Sequence, residues 1–300
     1  MAVVAQQVAI LAIFALVGFA LARCGLIKVE HSKLLSTLEV YVCFPCTVFR
    51  TYSAYFTPER LAAKAESIVV SIVLLAVVTI FAKWISKRFS SNPYEQNVHA
   101  YSLIVPNTGY MGTALVESLY GQAVLMDQMM FNLPLTFFTY TEGYRMLTGG
   151  KKMTLKKLIN PVTIAMALGC IVGIFGIPMP SIVSSVVDKA NGCMAPLSMI
   201  LTGIAISEFK LLELLKNKMV YVTTALRLIA LPLVAAFVAS MFFDRAIVLA
   251  VVMQFAMPCG LNTIIFPKLV GENCETGAGL ALVSNVVAIF TIPLCVAIFL

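Results

Sequence analysis

The sequence contains little charge and little histidine. Only 12% of its 300 residues are Asp, Glu, Lys or Arg, about half of the roughly 25% that is usual in a soluble domain. Its two histidines, His31 and His99, are far apart and near loops, so a histidine-based metal site is not expected. The phosphate-binding loop of ATPases and the G-x-S-x-G turn of serine hydrolases are also absent. We therefore predict no enzyme, no cofactor and no metal site.

Apolar residues dominate instead. They form 60% of the chain, and the mean hydropathy is +0.96. One membrane-spanning helix needs roughly 20 apolar residues, and the loops between such runs are short. We predict an all-α polytopic membrane protein of ten transmembrane helices and no soluble domain. The predicted spans are 4–22, 35–56, 67–86, 97–119, 123–146, 160–179, 181–206, 219–242, 246–270 and 276–299.

The net charge of +7 is distributed unevenly. Fifteen Lys and Arg residues lie in the odd-numbered loops and four in the even-numbered loops. By the positive-inside rule the odd loops face the cytoplasm, and both termini are extracytoplasmic. The charge therefore indicates orientation and contact with anionic lipid rather than nucleic-acid binding. We expect the protein in the plasma or inner membrane.

Two of the predicted spans contain a similar proline break. The first break is V-P-N-T-G at residues 105–109, and the second is M-P-C-G-L-N-T at residues 257–263. Pro106 and Pro258 are 152 positions apart, about half of the chain. Proline removes a helical hydrogen bond, and lipid tolerates a broken helix only where protein or water surrounds it. Paired breaks at matching places in two halves point to a transporter's binding site.

A second proline pair supports a repeat. Pro45 and Pro196 are 151 positions apart, each in the second span of its half. Five spans per half make the repeat inverted, because the second half enters the membrane from the opposite side. We predict a first repeat at 1–148, a basic cytoplasmic linker at 149–159 and a second repeat at 160–300, with Pro45 and Pro196 as hinges.

The broken helices are suited to binding a small carboxylate. The half-helix that follows each break presents N–H groups and a partial positive charge at its N-terminus. Asn107 and Asn262 add amide donors and acceptors, and Gly109 and Gly260 allow close ligand approach. Two alternatives stay open: the asparagines cap the broken helices, or the freed carbonyls hold Na⁺. The predicted binding residues are Pro106, Asn107, Thr108, Gly109, Pro258, Cys259, Gly260, Leu261, Asn262 and Thr263.

Three ionisable residues within the spans are candidate coupling or charge sites. Charge in a bilayer is costly, so such residues are functional candidates by default. Glu39 and Asp127 are candidate proton carriers, with Asp127 alternatively a residue of the membrane interface. Arg227 could attract the anion, pair with a carboxylate, or anchor its helix by reaching the membrane surface.

Four motifs in order resemble the auxin efflux carrier family. They are V-P-N-T-G-Y-M-G at 105–112, A-P-L-S-M-I-L-T-G at 195–203, R-L-I-A-L-P-L at 227–233 and the second break from Met257 to Asn262. The segment 52–56 also fits, and the resemblance covers nearly the whole chain. One position departs from the pattern, because Thr113 stands where many members carry proline.

The resemblance implies a ten-helix inverted-repeat carrier in which the broken helices four and nine cross at mid-membrane. It also implies elevator-type alternating access, with the substrate bound at this crossing. The transport domain would be helices three to five and eight to ten, and the scaffold helices one, two, six and seven. The implied substrates are small organic anions, auxin-like acids or dicarboxylates, and the implied assembly is a homodimer.

We therefore predict a secondary carrier of a small organic anion. The first alternative is a Na⁺-coupled carrier of a neutral or bile-acid-like substrate. The second is a membrane receptor or sensor that binds a ligand in the same pocket without transporting it.

Overall fold

The computed structural model describes residues 2–149 and 161–299. The regular structure in these two ranges is helical, which confirms the all-α prediction. The sixteen α-helices are α1 Ala2–Arg23, α2 Ser32–Leu38, α3 Phe44–Tyr55, α4 Pro58–Ala63, α5 Ala65–Ser86, α6 Pro93–Ile104, α7 Thr113–Phe138, α8 Tyr144–Leu147, α9 Pro161–Phe175, α10 Ser181–Ser207, α11 Leu211–Lys216, α12 Lys218–Ala225, α13 Leu231–Phe242, α14 Arg245–Phe255, α15 Asn262–Val270 and α16 Glu275–Phe299.

Four wider π-helical turns join some of these helices. They are Glu39–Cys43, Thr108–Gly112, Thr139–Gly143 and Leu226–Ala230. The first and the last directly precede helices with a proline in their first turn, Pro45 and Pro232. A proline ring displaces the carbonyl four residues earlier and supplies no N–H, which accounts for a local change of helical register at these two places.

Several helices are suited to a membrane. Among the described residues, four runs are long and apolar enough to cross one: Ala65–Ser86, Ser181–Ser207, Lys218–Phe242 and Glu275–Phe299. Shorter apolar helices include Ala9–Arg23, Pro161–Phe175 and Arg245–Phe255. The predicted spans 35–56, 97–119, 123–146 and 246–270 correspond to interrupted helices, so the count of ten stays a prediction.

The two halves of the chain pack in a reciprocal way. The first span of the first half, α1, packs along α10, the second span of the second half. In return α9, the first span of the second half, packs along α3. This exchange is consistent with an inverted repeat. The proposed boundaries at 148 and 160 stay predictions, because the linker 149–159 lies outside the described residues apart from Gly149.

Small residues make both of these contacts close. A Cβ atom placed on Gly18 of α1 would lie 2.1 Å from the carbonyl oxygen of Ile200, and one on Gly169 of α9 would lie 2.9 Å from that of Phe49. Helices in a membrane associate through such close backbone approach. The helices α3 and α10 also pack directly against each other.

Candidate functional site

The two proline breaks meet in the structure. Pro106 and Cys259 form an isolated antiparallel bridge. The N–H of Asn107 donates to the carbonyl oxygen of Pro258 at 2.8 Å, and the N–H of Gly260 donates to that of Val105 at 3.1 Å. Each break thus satisfies backbone groups that the other leaves without a helical partner.

After the crossing each of the two segments becomes helical again. Each of these second half-helices ends at a glycine. Gly121 has φ 80° and interrupts α7, and Gly271 has φ 77° after α15. Residues with a side chain rarely adopt a positive φ. Glycine is therefore the residue expected at the end of each half-helix.

A cavity of about 290 Å³ lies against the crossing. It reaches from the breaks toward the ends of the helices that adjoin the second, fourth and sixth loops. Many of its lining groups are polar. The lining residues are Thr47, Val48, Arg50, Thr51, Tyr55, Val105, Pro106, Asn107, Thr108, Gly109, Thr113, Glu117, Leu125, Met129, Asn132, Leu135, Thr136, Thr139, Tyr140, Asn191, Gly192, Met194, Ala195, Gly260, Leu261 and Asn262.

Asn107 offers the cavity an unused amide. The side chain is buried, and neither its Oδ1 nor its Nδ2 has a hydrogen-bond partner in the described structure. Asn107 lies at the N-cap position of the restarted helix but forms no side-chain cap. The capping alternative therefore does not describe Asn107. A buried amide without partners costs free energy, which a ligand in the cavity would recover.

Asn262 faces the same cavity with half of its amide engaged. Its Nδ2 donates to the hydroxyl of Tyr101 at 2.9 Å, while its Oδ1 is buried and has no partner in the described structure. Asn262 forms no cap either, since Leu261 occupies the N-cap position without a side-chain bond. The two asparagines are thus related by the repeat but differ in how much of each amide is free.

Replacing Tyr101 with phenylalanine should destabilise the protein. The substitution removes the hydroxyl that accepts a hydrogen bond from the buried Nδ2 of Asn262, and an orphaned buried donor costs about 1–3 kcal/mol. A thermal melt in detergent measures the change. Tyr221→Phe is the control, because Tyr221 is exposed. Equal melting temperatures (Tm) for both variants would contradict the assigned bond.

The remaining predicted binding residues divide into two groups. Pro106, Thr108, Gly109, Gly260 and Leu261 line the cavity with the two asparagines.

Pro258, Cys259 and Thr263 support the crossing without lining the cavity. The N–H of Cys259 donates to the Ser284 hydroxyl at 3.1 Å, and the hydroxyl of Thr263 donates to the Gly260 carbonyl at 3.0 Å.

Several polar residues of the cavity were missed at the sequence level, among them four on helices α3, α7 and α10. Arg50 and Thr47 of α3, Asn191 of α10 and Asn132 of α7 all line it. Thr47 Oγ1 donates to Asn191 Oδ1 at 2.9 Å. Their spacing from Pro45 and Pro196, five residues or fewer for three of them, was the available signal.

Arg50 supplies the cavity with a cationic group. Its Nε is 2.5 Å from Asp188 Oδ1, and both side chains are about half exposed. Glu117 is the acidic residue of the lining, so an anion in the cavity would meet one charge of each sign.

Glu39 lies outside the cavity lining. It is 0% exposed, its Oε1 accepts a hydrogen bond from the Ser198 hydroxyl, and its Oε2 has no partner in the described structure. Glu39 lies shortly before Pro45, and Ser198 lies shortly after Pro196. The bond between them therefore connects the turn before α3 to α10 near both predicted hinges.

Asp127 forms an ion pair with Lys64. Its Oδ1 is 2.9 Å from Lys64 Nζ, and both side chains are about one third exposed. This placement matches the interfacial alternative and lies apart from the cavity lining.

Arg227 is buried and does not reach the membrane surface. Its exposure is 0%, which excludes the predicted anchoring at the interface. It also does not line the cavity. Its Nη1 and Nη2 donate to the carbonyl oxygens of Leu103 and Gln254, each at 2.9 Å. Its Nε donates to that of Met257 at 3.1 Å.

Helices that break and cross against a polar cavity define the class of membrane transporters. Comparison with known families gives the same result: a model described as "Membrane transport protein" matches residues 3–152 and again 145–296. The chain belongs to this family, the auxin efflux carriers. It is a transporter and not an enzyme, and it is an integral membrane protein. The double match is consistent with a repeat.

The chain is also similar to an uncharacterized transporter of Methanocaldococcus jannaschii. The two are 25% identical over 209 residues, which cover 67% of this chain and 68% of the relative. The similarity therefore extends over most of both proteins.

Proposed function

We propose that the protein is a secondary carrier of a small organic anion. The anion binds in the cavity at the crossing, with its carboxylate on the amides of Asn107 and Asn262. The observation that carries this proposal is the buried side chain of Asn107 in the cavity wall, whose amide has no partner among the described residues. Membrane-buried polar groups normally find partners within the protein, and a ligand in this cavity would supply the partner that Asn107 lacks.

The charge of the cavity favours an anion. The two restarted half-helices begin at its wall, and a helix N-terminus carries roughly half a positive charge. Arg50 adds a guanidinium to the wall, with its Nε paired to Asp188. Glu117 is exposed and lies ten residues after Asn107, away from the N-terminus of the restarted helix.

The size of the cavity favours a small substrate. Its volume of about 290 Å³ is at the lower end of the range of roughly 300–1,000 Å³ for ligand pockets. A bile-acid-like substrate requires more room, which weakens the first alternative. That alternative also needs free carbonyls for Na⁺, and three carbonyls at the crossing are bound by Arg227.

Alternating access would move the crossing past a scaffold. We propose that α1, α3, α9 and α10 form the scaffold, because they pack in reciprocal pairs. The cavity reaches toward the even-numbered loops. On the opposite side Lys268 of α15 forms an ion pair with Glu208 just after α10, and both are largely buried. With the odd loops in the cytoplasm, this arrangement is an outward-open state.

Proton coupling would use Glu39. It has a free buried carboxyl oxygen and no ion pair within the described residues. Its ionisable neighbours are Cys43 of the same turn and Tyr140 of the turn after α7. No fixed charge in this group would prevent repeated protonation of the carboxylate.

Replacing Glu39 with glutamine should abolish the stimulation of uptake by an inward pH gradient. Exchange of labelled for unlabelled substrate without a gradient should persist, because it needs no net proton movement. Both are measured in proteoliposomes. Glu59→Gln is the control, since Glu59 is exposed on α4. Uptake that still responds fully to the gradient would exclude Glu39 as the coupling group.

The proposal is tested by uptake of a panel of radiolabelled mono- and dicarboxylates into proteoliposomes, with a pH gradient and then with a Na⁺ gradient. Saturable uptake of one acid that both Asn107→Ala and Asn262→Ala abolish would support it. Flux of a neutral compound driven by Na⁺ would favour the first alternative. Binding of an acid without any flux would favour a receptor.

A further inference from the structure

The guanidinium of Arg227 occupies a position between the two broken helices. Arg227 lies in the π-helical turn between α12 and α13. Its three bonds reach Leu103 in the last turn of α6, Gln254 in the last turn of α14 and Met257 in the second break. One side chain therefore connects both halves of the repeat behind the cavity.

The carbonyls that Arg227 binds have lost their helical partners. The N–H four residues after Leu103 is that of Asn107, and it donates to Pro258 instead. The residue four after Gln254 is Pro258, which has no N–H. A buried carbonyl without a donor is destabilising, because it loses the hydrogen bonds that water provides in the unfolded chain. The guanidinium, with five donors in a planar fork, satisfies these carbonyls together.

The charge of Arg227 is balanced by the backbone. No acidic side chain within the described residues forms an ion pair with it, and its guanidinium carbon is 5.5 Å from the ring centre of Phe255. The last turns of α6 and α14 both point at it. Each helix C-terminus carries roughly −0.5 of an elementary charge, so the two ends together offset roughly one positive charge.

We propose that Arg227 is a built-in cation that takes the place of a bound Na⁺ at this crossing. Carbonyls released by broken helices are the groups that hold coupling ions in other carriers. Here the side chain fills that position permanently and holds α6 and α14 together as a positioning residue. The carrier then requires no Na⁺ at the crossing, whichever anion it moves.

Chemical rescue tests this proposal without a known substrate. Arg227→Ala should lower the Tm by roughly 10 °C, because three buried carbonyls lose their donors. Low millimolar guanidinium should then raise its Tm by several degrees, as expected for a ligand at roughly ten times its Kd. Wild type and Arg88→Ala should not gain, since the exposed Arg88 stacks on Trp84 and leaves no pocket.

Two further measurements make the result decisive. Replacing choline with Na⁺ should leave the Tm of the wild type unchanged. Arg227→Lys should keep a higher Tm than Arg227→Met, which is of similar length but uncharged, and this comparison holds even if the alanine variant does not fold.

Three results would overturn the proposal. They are a wild-type Tm that rises with Na⁺, no gain of Tm with guanidinium in a folded Arg227→Ala, and equal Tm values for the lysine and methionine variants. None of them depends on uptake, so a failed search for the transported anion would leave this test intact.

Discussion

Uptake by the Asn107→Ala variant should fall about 10- to 100-fold at subsaturating substrate while the Tm stays within a few degrees of the wild type. Hydrogen bonds to a charged group contribute about 1.5–3 kcal/mol, and each 1.4 kcal/mol corresponds to a factor of about ten. The side chain forms no bond within the described structure, so its removal should leave the fold unchanged.

The matched control for this variant is Asn285→Ala. Asn285 donates to the carbonyl of Ala281 in its own helix, α16, and does not line the cavity. Uptake by this variant should stay near the wild-type level. The contrary result would be an Asn107→Ala variant with a lowered Tm whose folded fraction transports substrate at the normal rate. That result would show that Asn107 has a structural role, and it would remove the main support for the carboxylate site.

The Asn262→Ala variant should have a lower Tm than the Asn107→Ala variant. Its amide is bound to the hydroxyl of Tyr101, so the substitution leaves a buried hydroxyl without its partner. It should therefore lower both uptake and Tm. The two variants together distinguish ligand binding from support of the crossing.

Gly203→Ala should prevent the protein from accumulating in a folded form. A Cβ atom on Gly203 would lie 1.9 Å from the carbonyl oxygen of Ala15 and 2.7 Å from the amide nitrogen of Phe19. These are backbone atoms of α1, so neither can move without shifting the helix. Overpacking of this kind costs about 3 kcal/mol or more. The yield of monodisperse protein after detergent extraction measures the effect.

Gly192→Ala is the control on the same helix. A Cβ atom on Gly192 would meet no heavy atom within 4 Å, and alanine is favoured over glycine inside a helix by about 1 kcal/mol. Its yield and Tm should equal or exceed those of the wild type. A Gly203→Ala variant with the same behaviour would mean that α1 and α10 are farther apart than the structure places them.

The sequence was sufficient to locate both breaks and to identify Asn107 and Asn262 beside them. Proline and glycine act on the backbone locally, so Pro106, Pro258 and Gly121 predict interruptions wherever they stand in an apolar run. The family resemblance implied that the broken helices cross. The backbone bridge between Pro106 and Cys259 could not be predicted, because it depends on the packing of residues about half a chain apart.

Charged residues were the least predictable part of the site. Arg50 lies near the end of a predicted span, where basic residues usually mark topology, so its spacing of five residues from Pro45 was the only local sign of its place in the cavity wall. Arg227 was recognised as deep in the membrane, but its carbonyl partners become available only once both breaks have formed. Partners of this kind are set by tertiary structure and not by spacing.

The bridge between Pro106 and Cys259 has a consequence for biosynthesis. When the ribosome has released the first half of the chain, the N–H of Asn107 and the carbonyl of Val105 still lack the partners that they have in the finished protein. Each such group costs several kcal/mol in lipid. The first crossing helix is therefore incomplete until residues 258–260 are inserted, and the newly made first half depends on the translocation machinery or on bound water until then.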